Sequence, residues 1–308
     1  MQHEPDPIPQ AIPRLSALMM LMATATMVYA IAPHPGKSPD ALEMPSDHQS
    51  PTRPEPVPTV RATQRVLASA PQKTPRFAAL TSTRQRKALF FAYLYGHIKH
   101  VNTDLLSDRA RLRRLSEQAT LSGHDLKWLN ALAHRYKLGT VDWNDHQAWN
   151  QLMMRVDMVP PSIALAQAAN ESAWGTSRFA REGNNYFGQY CYRPGCGLTP
   201  AARPEDARYQ LARYPSAAAS VRSYIHNLNT HRAYETFRAE RRRLRNAGQF
   251  LSGPALAPGL SRYSERSSAY IRDILRLIRD NKLVEYDAMR WCLDGHSLAC
   301  PIAGNWAA

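Results

Sequence analysis

At 308 residues the chain has room for one or two domains with a substantial core, and no more. Its 39 lysines and arginines against 25 acidic residues give a formal charge of +14. That excess favours polyanionic partners (nucleic acid, acidic lipids or an anionic envelope polymer), and charge alone does not choose among them.

Residues 1–14 form a short N-terminus, followed at 15–32 by "LSALMMLMATATMVYAIA", an 18-residue run without a charge. Such a run is at the short end for a membrane span. Arg14 precedes it and no basic residue follows until Lys37. The basic-flank rule therefore leaves the N-terminus in the cytoplasm, anchors the chain in the inner membrane and exports the rest to the periplasm. "VYA" at 28–30 also fits a small-residue cleavage site, so a cleaved signal and a periplasmic product are the alternative. Residues 33–75 are dense in proline, as in "PSDHQSPTRPEPVPT", and read as a disordered spacer without a packed core. Export argues against nucleic acid as the partner.

From residue 76 the pattern becomes helical. "TRQRKALFFAYLYGHIKHVNTDLL", "DRARLRRLSEQA", "SGHDLKWLNALAHRY" and "DHQAWNQLMMRVD" carry apolar residues at three- and four-residue steps and make a helical extension over 76–155. The third of these offers Ser122 or Asp125 as its cap. A second unit is expected over 156–290, with helices in "SAAASVRSYIHNLNTH", "YETFRAERRRLRN" and "SERSSAYIRDILRLIRDN". Its one strand-like piece is "DARYQLARYP", which allows a small hairpin near 189–214. "HIKH" sets His97 and His100 one turn apart but offers no third ligand, so no metal site is expected. "RAERRRLR" reads as a solvated helix face.

The four cysteines fall in two close pairs. Cys191 and Cys196 form the first; Cys292 and Cys300 form the second, in a tail at 291–308. In an exported chain, two local disulfides lead the three possible connectivities. Zinc is the competing reading, but the gaps differ and no regular Cys–His grid appears.

"PPSIALAQAANESAWG" places Pro161 in the first turn of a helix, where its missing N–H costs nothing. Gln167 and Glu171 then lie four apart on one face, with Glu171 in the last turn. Unpaired carbonyls there disfavour a carboxylate, and so does burial beside Ala168 and Trp174. Both effects raise the pKa of Glu171, and a carboxyl that is still protonated near neutrality can protonate a glycosidic oxygen. A structural reading, a helix-end glutamate bonded to backbone amides, competes on composition alone. A short helix in "TSRFAREG", capped by Thr176 or Ser177, leads to the turn "NNYFG", which presents amides for sugar hydroxyls and flat rings for pyranose stacking.

The stretch "LAQAANESAWGTSRFAREGNNYFGQY" resembles the signature of glycoside hydrolase family 73, the peptidoglycan N-acetylglucosaminidases. With "CYRPGCG" and "NLNTHRAY" it is similar to the Bax-like branch, over roughly residues 150–285. The resemblance implies a mainly α, lysozyme-like fold with a small β-hairpin, preceded here by the helical extension. It implies peptidoglycan glycan strands as substrate, no cofactor, and Glu171 as catalytic acid. Tyr270 matches a motif tyrosine facing the catalytic site, and Tyr214 one lining the groove. Asn185, Phe187 and Gly188 match the groove-floor turn, with Gln167 and Trp174 beside the acid. The second carboxylate of the family lies on the hairpin, where Glu205 and Asp206 are the candidates. If neither serves, the substrate's 2-acetamido group supplies the nucleophile. A lytic transglycosylase or muramidase on the same fold is the nearest rival, although "NNYFGQ" departs from the "GAxGLMQ"-like stretch usual there. A non-catalytic wall-binding scaffold is the other.

Overall fold

A computed structural model describes residues 74–204 and 206–288. The apolar run at 15–32, the proline-rich stretch through residue 73 and Glu205 lie outside the described residues. So does the second expected disulfide, between Cys292 and Cys300. Among the described residues no helix is long and apolar enough to cross a membrane.

The two helical stretches that open the folded part are one helix, α1 (Thr83–Ser116), capped by the Ser82 hydroxyl, which accepts from Gln85 N. No proline interrupts it, and Phe90, Phe91, Leu94, Ile98, Val101, Leu105, Leu112 and Leu115 keep one buried stripe along its length. α2 (Gly123–Arg135) starts at the Ser122 cap and α3 (His146–Arg155) at the Asp145 cap. α4 (Pro161–Ser172) follows, with proline in its first turn as expected. Residues 161–169 of α4 are all buried, so this alanine-rich helix is the centre of the molecule. It is covered by α1, by α8 (Gly253–Leu256), by α9 (Ser268–Asp280) and by α10 (Val284–Ala288). Small side chains are what permit helices to close on it from so many directions. Between these run α5 (Arg178–Gly183), capped by Ser177, α6 (Ala217–Thr230), capped by Ser216, and α7 (Glu235–Asn246).

The strand content is small: β1 (Tyr190–Cys191), β2 (Gly197–Leu198) and β3 (Gln210–Ala212), all antiparallel in the order β1–β3–β2. Tyr190 pairs with Leu211 on one side of β3 and Gly197 with Ala212 on the other. The Cys191–Cys196 disulfide closes the β1–β2 connection, as the spacing suggested. Gly197 is obligatory, because a Cβ there would collide with the Leu211 carbonyl. One buried apolar cluster runs from Phe77 through α1, α4 and α6 to Tyr286. The helices before residue 156 therefore share their core with those after it.

"RAERRRLR" forms the solvated face that its composition suggests only in part: Ala239, Arg242 and Arg243 are exposed, but the other side of the helix is not. Arg238 and Arg241 are 5% and 1% exposed, and Arg245 is half-buried. Their spacing of three and four puts them on one stripe of α7, and that stripe turns inward. Arg241 donates to the carbonyls of Met154, Asp157 and Met158, and Arg245 grips the Asp157 carboxylate with two bonds of 2.6 Å. These contacts pin the segment that leads into α4. Asn102 of α1 pins it again, donating to Val159 O at 2.8 Å and accepting from Val159 N at 3.1 Å.

Candidate active site

Glu171 is the penultimate residue of α4, and the helix stops immediately after it. Ala173, Trp174 and Gly175 take φ of +48°, +60° and +75° in succession. Left-handed backbone is disfavoured for Ala and Trp by roughly 1–2 kcal/mol each, so the surroundings must hold it. Ser172 does part of this: its hydroxyl donates to Ala168 O at 2.6 Å and accepts from Gly175 N at 2.9 Å. The abrupt end leaves the Glu171 side chain beside the turn after α5 and beside α9, rather than against another helical turn.

The carboxyl is held at one oxygen. Tyr270 donates to Oε1 at 3.0 Å, and Asn170 Nδ2 donates to the same atom at 3.2 Å. The Tyr270 hydroxyl in turn accepts from Gln167 Nε2 at 2.8 Å, and Gln167 Oε1 accepts from the Tyr224 hydroxyl at 2.6 Å. Because Gln167 occupies the acceptor side of Tyr270, the hydroxyl proton must point at Glu171. The other oxygen, Oε2, faces Gly188, where a Cβ would stand only 3.2 Å away on a backbone of φ +62°. Burial pushes the Glu171 carboxyl above the usual range, and the bonds from Asn170 and Tyr270 hold it back in part.

Tyrosines surround this carboxyl. Tyr270 is 1% exposed, and Tyr263 stacks on its ring at 5.6 Å and 8°. Tyr263 also donates to Phe187 O at 2.9 Å, tying the loop before α9 to the "NNYFG" turn. Phe187 stacks on Tyr224 at 3.9 Å and 9°. Burial raises the pKa of Tyr224, Tyr263 and Tyr270 well above the ordinary phenol, and the Glu171 charge adds to it. The rings stay neutral, and every hydroxyl remains a donor.

The residues expected from the sequence divide into those that reach the carboxyl and those that support it. Gln167, Gly188 and Tyr270 surround Glu171 directly or through one hydrogen bond. Asn185 is 1% exposed, and its amide is spent on Gln189 O and Ala212 O, with Gln189 N donating back. It therefore clamps the turn instead of offering an amide to a ligand. Phe187, also 1% exposed, is packing beneath the turn rather than an open stacking face. Trp174 points to α1, edge-on to Phe90 and Phe91 with Lys87 over its ring at 4.6 Å. Tyr214 donates to Gln189 Oε1 at 2.7 Å, one residue beyond Gly188. Asp206 is exposed in the turn before β3.

Sequence reasoning missed Tyr224 and Tyr263. Tyr224 lies on the apolar stripe of α6 and reads there as core, while Tyr263 sits in a loop with no periodicity to mark it. The open aromatic face belongs to Tyr190, 48% exposed on β1 and edge-on to Tyr209 at 5.0 Å. Burial raises the Tyr190 pKa, and Tyr209 and the Glu171 charge add to it. Among the described residues, no group of three or more His, Cys, Asp or Glu could hold a metal ion.

A family model described as mannosyl-glycoprotein endo-beta-N-acetylglucosaminidase matches residues 146–283. The chain is similar to protein bax of Escherichia coli (strain K12), 32% identical over 211 residues that make up 68% of this chain and 74% of that protein. No solved structure matches it.

Proposed function

Since the chain belongs to the Bax-like glucosaminidase family, we propose that it is a family 73 hydrolase cutting peptidoglycan at the β-1,4 bond after N-acetylglucosamine, with Glu171 as general acid. The observation that carries this reading is the one-sided hydrogen bonding of the Glu171 carboxyl. Asn170 and Tyr270 both donate to Oε1, which leaves Oε2 to bear the proton on the side kept open by Gly188. A raised pKa keeps that proton available at higher pH than an ordinary glutamate would, and transfer to the glycosidic oxygen lets the leaving sugar depart.

The positive charge that develops at the anomeric carbon needs a partner. Glu205, or the 2-acetamido group of the sugar itself, fills that role in this reading. Tyr190, exposed on β1, offers a ring for a pyranose face. The apolar run at 15–32 would hold the enzyme at the inner membrane facing the periplasm, or be cleaved to release it there. The net charge of +14 keeps it close to an anionic wall.

Mass spectrometry of muropeptides after digestion tests the reading. N-acetylglucosamine at the new reducing end is expected. A muramyl reducing end would make the enzyme a muramidase, an anhydro-muramyl end a lytic transglycosylase, and no sugar release a scaffold.

A further inference from the structure

A second concave site lies away from Glu171, on the far side of the catalytic helix's start. α1 contributes Arg109 and Arg113 to it and α7 contributes Arg238, Arg241, Arg242 and Arg245, around a cavity of ≈ 530 Å³. The volume falls in the range of small-molecule sites. Asp157, at its base, precedes the first residue of α4, whereas Glu171 is at the other end of that helix, about 15 Å away at 1.5 Å per residue.

Some of these arginines hold the fold. Arg245 pairs with Asp157, Arg241 and Arg109 lie within 3.7 Å and 3.5 Å of the same carboxylate, and Arg238 donates to Leu228 O and His231 O. Those contacts do not account for the charge. Six guanidinium groups line the cavity with only Asp157 and Glu117 to oppose them. Asp157 is shared by three of the six, and Glu117 meets Arg113 at an exposed 3.4 Å. Among the described residues Arg242 donates to the Met154 sulfur, a weak acceptor. Guanidinium groups brought together in a recess repel one another unless anions neutralise them.

We propose that this cavity binds a phosphoryl group, an oxyanion of two or more charges, supplied by a lipid headgroup or by free phosphate. A carboxylate is a poorer match, because Asp157 already provides one and the surplus persists. The forked N–H groups of arginine suit phosphate oxygens, and Arg113 and Arg242 stand exposed at the mouth to receive them. A recess between two helices also differs from the open basic stripe that tracks a nucleic-acid backbone. Occupancy would tie α7 to α1 across the segment entering α4, so the same group could hold the enzyme against its anionic surroundings without touching the catalytic carboxyl.

The test uses the full chain with two probes: inorganic pyrophosphate followed by calorimetry, and sedimentation with vesicles containing phosphatidic acid, a phosphomonoester, against neutral phosphatidylcholine ones. Binding to at least one probe is expected, with the pyrophosphate arm identifying a soluble anion and the vesicle arm a headgroup. R113A/R242A removes two exposed groups that do not hold the fold and should weaken binding at least about tenfold. R76A/R84A removes the same charge at the far end of α1 and should leave it unchanged. Glu171→Gln should also bind normally. No binding to either probe, or equal losses in the two double variants, would overturn the site, because net charge alone would then explain any attraction.

Discussion

Replacing Glu171 by glutamine keeps an acceptor for Tyr270 and Asn170 while removing the proton that the reaction needs. Glu171→Gln should lower turnover by about two to four orders of magnitude with an unchanged circular dichroism spectrum; near-normal turnover would remove Glu171 from the mechanism. Tyr270→Phe acts differently. The acid must be protonated, so activity declines as pH rises through the Glu171 pKa, and burial already moves that decline upward. The Tyr270 hydroxyl donates to the carboxylate and favours its ionised form. Without it, the alkaline limb of the pH–rate profile should move to still higher pH, and a move to lower pH would contradict the assigned direction of the bond. That Gln167 and Glu171 share a helix face was legible from their spacing, and that Tyr270 stands beside Glu171 from the motif it resembles. The burial of Asn185 and Phe187 was not, since an amide that binds sugar and one that clamps a turn look alike in sequence. Tyr263 needed the structure too, because a loop has no period from which to infer a face.

Helix ends are where the elements of this protein are tied together. Asp287 of α10 reaches the start of α4, accepting from Ser162 N at 2.7 Å, from Ser162 Oγ at 2.6 Å and from Gly253 N at 3.0 Å. Burial outweighs these bonds and lifts its pKa to about 6. A carboxyl whose folded pKa exceeds its unfolded one stabilises fully below the unfolded value, near 4, and loses that contribution as pH rises through about 6. Wild-type stability should therefore fall across this window relative to Asp287→Asn, as denaturant titrations at pH 4 and 7 would show; parallel pH dependence would mean that Asp287 does not titrate there. Asp157 has the opposite sign. Burial opposes its charge, but Arg241, Arg245 and Arg109 prevail and hold its pKa down. Its contribution is present above the ordinary aspartate range and lost on acidification through the folded value. Asp157→Asn should cost about 3–5 kcal/mol near neutrality, because Arg241 is then buried without its counter-charge. A loss under 1 kcal/mol in urea unfolding would show the arginines to be adequately held by carbonyls alone. Caps at Ser122, Asp145 and Ser177 follow local sequence, which offered Ser122 and Ser177 each as one of two candidates. The inward stripe of α7 was not legible, since Arg241 and Arg245 turn in only because Asp157 and the carbonyls of a distant segment receive them, and Arg238 because Leu228 O and His231 O do.

At the scale of the molecule, one core joins segments that the sequence divides at residue 155. Phe90 and Phe91 of α1 meet Trp174 just beyond the catalytic helix, and Asn102 holds the stretch of chain entering it. A fragment of residues 74–288 should unfold in a single cooperative transition and match the full chain on soluble glycan fragments. A fragment of 156–288, stripped of α1, should lack a cooperative transition; calorimetry on the pair decides, and a folded shorter fragment would make α1 a dispensable addition. The mainly α class and the small sheet were legible from periodicity and from one alternating segment. The sharing of a core was not, because an amphipathic stripe shows that a helix needs a partner without showing which.

The catalytic helix is held by groups that arrive late in the chain: Tyr270 follows Glu171 by 99 positions, and Asp287 follows Ser162 by 125. A polypeptide leaving the ribosome thus displays Glu171 long before the residues that orient it and cap its helix exist. Assembly of the chemistry waits for the last helices to be synthesised. For the hydrolase proposed above, that order of manufacture would itself be a safeguard, since a chain stalled or clipped before residue 270 carries Glu171 but not the hydroxyl that orients it.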